Sequence, residues 1–298
     1  MKSPVITLAM PVHNCEGTVG IAIRSILEQS FQDWELVTID DGSRDGTLER
    51  LRRFSDRRIR IIHHDDCKGL AVRLNEAVSA ASGDYLARMD GDDISYPIRL
   101  EAQLDYLLRH PEVDLVGTEM LVFGREGRVL GKRTAPRTHN EICRSPLLGI
   151  PLAHPTFFAK TAWFRKWGYA GETGGVCDQD LLLRAFRQSR YANLPEILLG
   201  YREEKLSFKK LVGYRAAHYR SLCTNVKSRA GRARMFLALI GLAKGVADLV
   251  ALSTGLQHRV LRHRARPVTV AERTRWSEVW ENLERGSKER FGPCEATR

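Results

Sequence analysis

The six cysteines, Cys15, Cys67, Cys143, Cys177, Cys223 and Cys294, include no C-x-x-C pair. That spacing argues against a zinc ribbon and against a disulfide scaffold, so a reducing cytosol is the expected setting. Proline is sparse as well, at 11 of 298 residues, and glycine, at 24, is in no excess, while 43% of the chain is hydrophobic and 28% charged. This balance excludes collagen-like, low-complexity and disordered chains, and it suits one large domain with an appendage or two small ones. Long apolar runs are missing too. The stretch from Met235 to Leu252 is broken by Lys244 and Asp248 and makes a poor membrane span. The run from Val5 to Val12 is short, holds Thr7 and Pro11, and leads into His13-Asn14, so it does not read as a secretory signal.

Negative charge is almost absent from one segment. Residues 205–266 carry 14 Lys and Arg against a single acid, Asp248, for a net of +13, whereas residues 1–204 net −2 and residues 267–298 net zero. A nucleic-acid enzyme would more often spread basic charge around its cleft. The chain therefore reads as a near-neutral body, 1–204, followed by a helical basic extension, 205–298. Within the extension, Met235–Leu252 lies between Arg229, Arg232 and Arg234 on one side and Arg259, Arg262, Arg264 and Arg266 on the other. That pattern predicts an element lying on an anionic membrane surface, at the inner face of the membrane. The competing reading is a helix packed on the body with its arginines in water. Helical character returns around Trp276 and Trp280.

Hydrophobic spacing in the body alternates between two periods. Strands are expected over Val5–Met10, Trp34–Ile39, Arg58–His63, Tyr85–Met89 and Val113–Gly117; helices are expected over 18–29, 47–54, 69–81 and 97–109. This order predicts an α/β fold with a mostly parallel, Rossmann-like sheet flanked by helices. Ligands of such sheets bind beyond the carboxyl ends of the strands. Three polar groups fall there: His13-Asn14, Asp40-Asp41 and the turn Asp90-Gly91-Asp92-Asp93. Three acids in four residues repel one another unless a cation compensates, and hard oxygen ligands suit Mg²⁺ or Mn²⁺ beside the phosphates of a substrate. A solvated acidic turn before a helix explains the same string. One of the acids after the second strand could accept the imide N–H of a uracil base, while Asp45 and Thr47 read as ordinary turn and cap residues. His63 to Cys67 holds metal-ligand residue types, but adjacent positions on an extended chain point apart, so a loop after the third strand is expected.

Taken in order, these pieces resemble the family 2 glycosyltransferases of GT-A fold. The resemblance rests on Pro11, His13, Asn14 and Glu16; on Asp40-Asp41-Gly42-Ser43 with Asp45 and Thr47; on Lys68-Gly69-Leu70 with Asn75; on Gly83-Asp84-Tyr85; and on Asp90, Asp92 and Asp93 with Pro97 and Arg99-Leu100. It covers roughly residues 4–205. His13 stands where the family usually has tyrosine.

The resemblance implies a nucleotide-binding half, 1–117, and an acceptor and catalytic-base half, 118–204. Pro11, His13, Asn14 and Glu16 would line the nucleotide pocket, Asp41 would hold the base, and Lys68 would lie near the nucleotide. Asp90 would contact ribose or metal-bound water, Asp92 would ligate a divalent cation, Mn²⁺ or Mg²⁺, and Asp93 would support either role. Cys177-Asp178-Gln179-Asp180-Leu181, with Arg184, matches a family string whose first Asp is the general base. That points to Asp178, with Asp180 structural and Cys177 in place of the usual glutamate. His154, in a His-Pro pair that reads as opening a strand, is a possible acceptor or metal contact, or equally a structural residue. The implied activity is an inverting transfer of sugar from a nucleotide-diphosphate donor, uridine preferred, to a glycan or lipid-linked acceptor in cell-surface polysaccharide synthesis. Two rivals are a basic nucleic-acid-binding α/β protein and a sugar-nucleotide pyrophosphorylase. The acid-lined crevice opposes the first, leaving no nucleic acid among the expected partners. The second needs an early Gly-rich loop bearing Arg and Lys after the first strand, which this sequence lacks.

Overall fold

A computed structural model describes residues 3–171, 176–203, 217 and 266–291, with side chains as far as 285. Strand β1 (Ile6–Val12) leads to helix α1 (Val19–Leu27), β2 (Trp34–Asp41) to α2 (Thr47–Arg52), and β3 (Ile59–His64) to α3 (Leu70–Ala80). Then come β4 (Tyr85–Arg88), β5 (Ile94–Ser95), α4 (Arg99–Arg109), β6 (Leu115–Phe123) and β7 (Val129–Arg133). The second half adds α5 (His139–Ile142), β8 (Phe158–Lys160), α6 (Thr161–Trp167), α7 (Cys177–Ala185) and β9 (Tyr191–Arg202), and α8 (Val270–Phe291) follows the basic segment.

The strands form one sheet in the order β3-β2-β1-β4-β8-β6-β9-β5, with β7 added on β6. The first four are parallel. The mostly parallel expectation describes that half; beyond it the sheet is mixed, because β8 runs antiparallel between β4 and β6 while β6 and β9 pair in parallel. Alternation along β1 sends Ile6, Leu8, Met10 and Val12 into a core with α1 and α4, and Ala9 into a second core with α3, α6 and α7. Burying each large aliphatic side chain contributes roughly 1.5–3 kcal/mol, so the two faces lock the sheet's register.

Three expectations need correction. β2 continues through Asp40 and Asp41, and β3 includes His63 and His64, because these residues pair in register across the two strands. The expected loop therefore begins later. The strand expected over 113–117 runs instead from Leu115 to Phe123, supported on both sides by β7 and β9. His154-Pro155 opens a short 3-10 turn before β8 rather than the strand itself.

The boundary expected at 204 does not separate α8 from the body. Trp276, Val279 and Leu283 join Ile94, Tyr96, Leu121, Phe123 and Ile197 in a third apolar cluster. Two glycines make room for the tryptophans: a Cβ on Gly200 would lie 2.4 Å from the Trp276 ring, and one on Gly127 would lie equally close, at 2.4 Å, to Trp280. Arg266 pairs with Lys132 through the backbone, and Lys132 pairs with Glu272 at 2.6 Å. Trp276 also donates its indole N–H to the Gly127 carbonyl at 2.7 Å. Trp276→Ala is therefore expected to cost about 3–5 kcal/mol, read as a lower denaturant midpoint; a change under 1 kcal/mol would mean that α8 docks only loosely.

Apart from Ala217, residues 205–265, and with them the interfacial element, lie outside the described residues. Among the described residues no helix is long and apolar enough to cross a membrane.

Candidate active site

The loops after β1 and β2 are stitched together. Asn14 adopts a left-handed backbone, φ 49°, a conformation asparagine tolerates well. Its N–H donates to Ser43 Oγ and its side-chain oxygen accepts from the Arg44 N–H, at 2.9 and 2.8 Å. Glu16 accepts from the Gly46 N–H at 2.6 Å, and its own N–H donates to Asp45. The Asn14 amide can only donate to His13 Nε2, so the His13 Nδ1–H donates to the Asp41 carbonyl, 2.8 Å away. The polar atoms of Asn14 and Glu16 thus shape the loop pair. His13 is exposed at its surface.

Asp41 is buried and heavily engaged. Oδ1 accepts from the Lys68 N–H and the Arg73 guanidinium, at 2.8 and 2.7 Å; Oδ2 accepts from the Gly69 N–H at 2.8 Å and from the Cys67 thiol at 3.3 Å. Burial raises its pKa, but these donors outweigh burial and hold the carboxyl below its usual range. Four donors fill a carboxylate's acceptor capacity. Asp41 therefore fastens the loop before α3, and a base N–H would have to replace the weakest donor, the Cys67 thiol. Lys68 extends its ammonium to Asp66 at 3.2 Å and is exposed.

Beyond β4, Asp90, Asp92 and Asp93 converge: one carboxylate oxygen from each lies within 4.8 Å of the others. The turn presses on the end of β1, where a Cβ on Gly91 would approach Val12 Cγ1 to 2.6 Å. Asp90 forms a two-pronged pair with the buried Arg88, at 2.6 and 2.5 Å. The Arg202 N–H donates to Asp93 Oδ1 and its Nε–H to the Asp92 carbonyl, both at 3.0 Å. Arginines thus supply part of the compensating charge expected from a cation, but not all of it. Burial and the Asp90 charge still push Asp92 up to about 6. Burial and the charges of Asp90 and Asp92 push Asp93 well above the usual range, and its buried Oδ2 accepts no hydrogen bond among the described residues. An excess of hard, under-satisfied oxygens fits a divalent cation.

Asp178 and Asp180 open α7, and their surroundings differ. Asp180 pairs with Arg184 at 2.8 Å, and Arg184 also caps the carbonyls of Trp167 and Gly168. Asp178 is buried, and burial raises its pKa against the opposing Gln179 N–H and the charge of Arg88. Cys177 beside it is pushed up to about 12, chiefly by burial, and stays a neutral thiol. His154 meets the Tyr169 hydroxyl through Nε2 at 3.1 Å. Burial and Arg88 drive its pKa well below the usual histidine value, so it is a neutral imidazole. His154 lies outside the set of converging aspartates.

Arg88 links these parts, and sequence reasoning missed it. Its charge acts on Asp90, Asp92 and Asp93 as well as on His154, Tyr169 and Asp178. An arginine inside the apolar strand Tyr85–Arg88, two residues before an acid, was the available signal. Arg73 and Arg202 carried none, since the site residues they hold, Asp41 and the pair Asp92 and Asp93, are remote from them in sequence.

Acids at the end of β2 and just beyond β4, on a sheet of this topology and with a buried carboxylate at the start of a second-half helix, fit the GT-A glycosyltransferase class. Residues 7–166 match the Glycosyl transferase family 2 model, and the chain belongs to that family. It is 39% identical over 216 residues to the putative glycosyltransferase EpsE of Bacillus subtilis (strain 168), covering 70% of this chain and 77% of that one. It is 32% identical over 151 residues to the UDP-Glc:alpha-D-GlcNAc-diphosphoundecaprenol beta-1,3-glucosyltransferase WfgD of Escherichia coli, covering 50% of this chain and 59% of that one. The mannosyltransferase PcManGT from Pyrobaculum calidifontis, solved with GDP-Man and Mn²⁺, shares the fold, with a TM-score of 0.59 at 16% identity over 98% of this chain and 88% of that one.

Proposed function

We propose that this glycosyltransferase moves a sugar, with inversion, from a nucleotide-diphosphate donor to a hydroxyl of a glycan or lipid-linked acceptor in cell-surface polysaccharide synthesis. The observation that carries the reading is Arg88, whose charge acts on both the Asp90–Asp93 turn and Asp178. Both carboxylate groups thus lie within reach of one guanidinium. The relatives support the substrate classes: WfgD is named for a UDP-Glc donor and a lipid-diphosphate acceptor, and PcManGT was solved with GDP-Man. A UDP donor is the preferred assignment here.

In this reading Pro11, His13, Asn14 and Glu16 line the nucleotide pocket, with Asp41 at the base and Lys68 beside the nucleotide. Asp178 takes the proton of the acceptor hydroxyl as that oxygen attacks the anomeric carbon. The new C–O bond forms as the bond to the nucleoside diphosphate breaks on the opposite face. With one base and no covalent nucleophile, configuration inverts. Asp92 would hold the divalent cation, with Asp90 and Asp93 completing the carboxylate cluster. Such a cation, when bound, supplies Lewis-acid stabilisation to the departing diphosphate. His154 and Tyr169 lie near Arg88 on the acceptor side.

Residues 205–266 bring the enzyme to the anionic inner face of the membrane, where a lipid-linked acceptor resides; their net charge of +13 supports this. Each basic residue near such a surface contributes about 1 kcal/mol, screened beyond a Debye length of roughly 8–10 Å. Full-length protein should bind vesicles containing anionic lipid, bind neutral vesicles weakly, and lose binding as salt rises. Equal binding to neutral and anionic vesicles would sink this part of the reading.

A donor screen by thermal unfolding tests the activity class. With Mn²⁺ present, a uridine-diphosphate sugar should raise the unfolding midpoint by mass action, and EDTA should abolish the shift. If no nucleotide sugar shifts the midpoint with or without Mn²⁺, the donor assignment is wrong.

A further inference from the structure

Helix α8 lies outside the residues matched by the family model, 7–166, yet it backs the acidic turn. β5 starts at Ile94, the residue after Asp93, and pairs with Leu199 and Gly200 of β9. Ile94 and Tyr96 belong to the apolar cluster completed by Trp276, Val279 and Leu283. The Trp276 ring lies 4.7 Å from that of Phe123 and 6.0 Å from that of Tyr96, and Trp280 lies 5.7 Å from Phe123. Arg275 of the same helix covers Tyr96 at 5.2 Å. On Phe123 rests the Arg202 guanidinium, 4.6 Å from the ring centre. Arg202 in turn holds the Asp92 carbonyl through Nε and Asp93 Oδ1 through its backbone N–H, each at 3.0 Å. The chain of contacts runs from Trp276 through Phe123 and Arg202 to the two carboxylate-bearing residues.

We infer that α8 is a positioning element of the cation site: Trp276, acting through Phe123 and Arg202, fixes the geometry in which Asp92 and Asp93 meet a divalent cation. Three like charges held together resist convergence, and a turn free to relax would separate them. A rigid apolar wedge behind the turn opposes that relaxation, since close-packed clusters transmit displacement rather than absorb it. Metal sites depend in the same way on the groups that orient their ligands; losing such support typically costs about 10–100-fold in metal affinity. Trp276 and Arg202 are positioning residues here, not catalytic ones. The inference rests on the reading of Asp92 as a cation ligand.

The test measures cation binding directly. Free Mn²⁺ is followed by electron paramagnetic resonance as the full-length protein is titrated in the presence of UDP. Trp276→Leu and Arg202→Lys should each raise the Mn²⁺ dissociation constant by about tenfold or more, and Trp276→Phe should restore most of the affinity. Should Trp276→Leu fail to fold, Gly200→Ala displaces the same indole, because its Cβ would lie 2.4 Å from Trp276 Cζ3. Leu104→Ala, which opens the core beneath α4, controls for general destabilisation and should leave Mn²⁺ affinity unchanged. Unchanged affinity in the Trp276 and Arg202 variants overturns the inference, as does an equal loss in Leu104→Ala. Asp92→Asn separates the two levels: if it leaves Mn²⁺ binding intact, the ligand assignment itself has failed.

Discussion

Asp178→Asn is expected to lower the transfer rate by roughly a hundredfold or more while leaving UDP binding in the presence of Mn²⁺ unchanged. Asparagine keeps the size and the hydrogen-bonding oxygen of the side chain but cannot take a proton. The buried position sets a second expectation. A carboxyl whose pKa is raised on folding adds stability in its protonated form, and that contribution is lost as pH rises through the raised value. At neutral pH the wild type therefore carries a desolvated charge that the amide lacks. Asp178→Asn should be as stable as the wild type or more so, even as it loses activity. Activity of the wild type should fall toward acid pH, with a midpoint above the ordinary aspartate range. Asp180→Asn should show the opposite pattern, losing stability through its broken pair with Arg184 and keeping more of its rate. If Asp180→Asn is the slower enzyme and Asp178→Asn the less stable one, the two roles are reversed.

That contrast also shows what the sequence disclosed. Both aspartates stand at the start of a helix, where acids serve the dipole as a matter of routine, so spacing alone does not rank them. The family resemblance chose Asp178. Both are buried, and the structure supplies a physical difference in their partners: Asp180 pairs with Arg184, whereas Asp178 feels the charge of Arg88. The strands and helices of residues 5–109, apart from the two-residue β5, were legible because each carries its own period and ends in turn residues. The three-residue strand β8 has no period to read. Its antiparallel place between β4 and β6 is decided by tertiary pairing.

Long-range partners were the second blind spot. The acidic turn was recognisable, but its compensation was expected from a cation alone, and Arg202 lies more than a hundred residues away in the chain. The docking of α8 was hidden for the same reason. Helical character around Trp276 and Trp280 was visible, whereas the glycines that receive them, Gly127 and Gly200, have no sequence relation to that helix. Asp41 shows the reverse case. Its position matched a base-binding residue, and only the structure shows four donors already converging on it.

Asp92→Asn is expected to remove most transfer, by at least about a hundredfold, because stabilisation of a departing diphosphate by a bound cation is worth several kcal/mol. UDP binding should persist weakly and lose its dependence on Mn²⁺, measured by calorimetry with and without the ion. The wild-type carboxyl, pushed up to about 6 by burial and by Asp90, gives the experiment a pH axis. Cation and proton compete for the same oxygens, so Mn²⁺-dependent UDP binding should weaken as pH falls below about 6. The stability of the metal-free protein should move the other way. A folded-state pKa above the unfolded one contributes stability at low pH that is lost as pH rises through about 6. Metal-free wild type should therefore lose stability across that interval, Mn²⁺ with UDP should restore it, and Asp92→Asn should show a much smaller decline and no rescue. Near-normal turnover in Asp92→Asn, or Mn²⁺ dependence that survives the substitution, would place the cation elsewhere. The raised carboxyl pKa would then be a property of three crowded acids that Arg88 and Arg202 only partly neutralise.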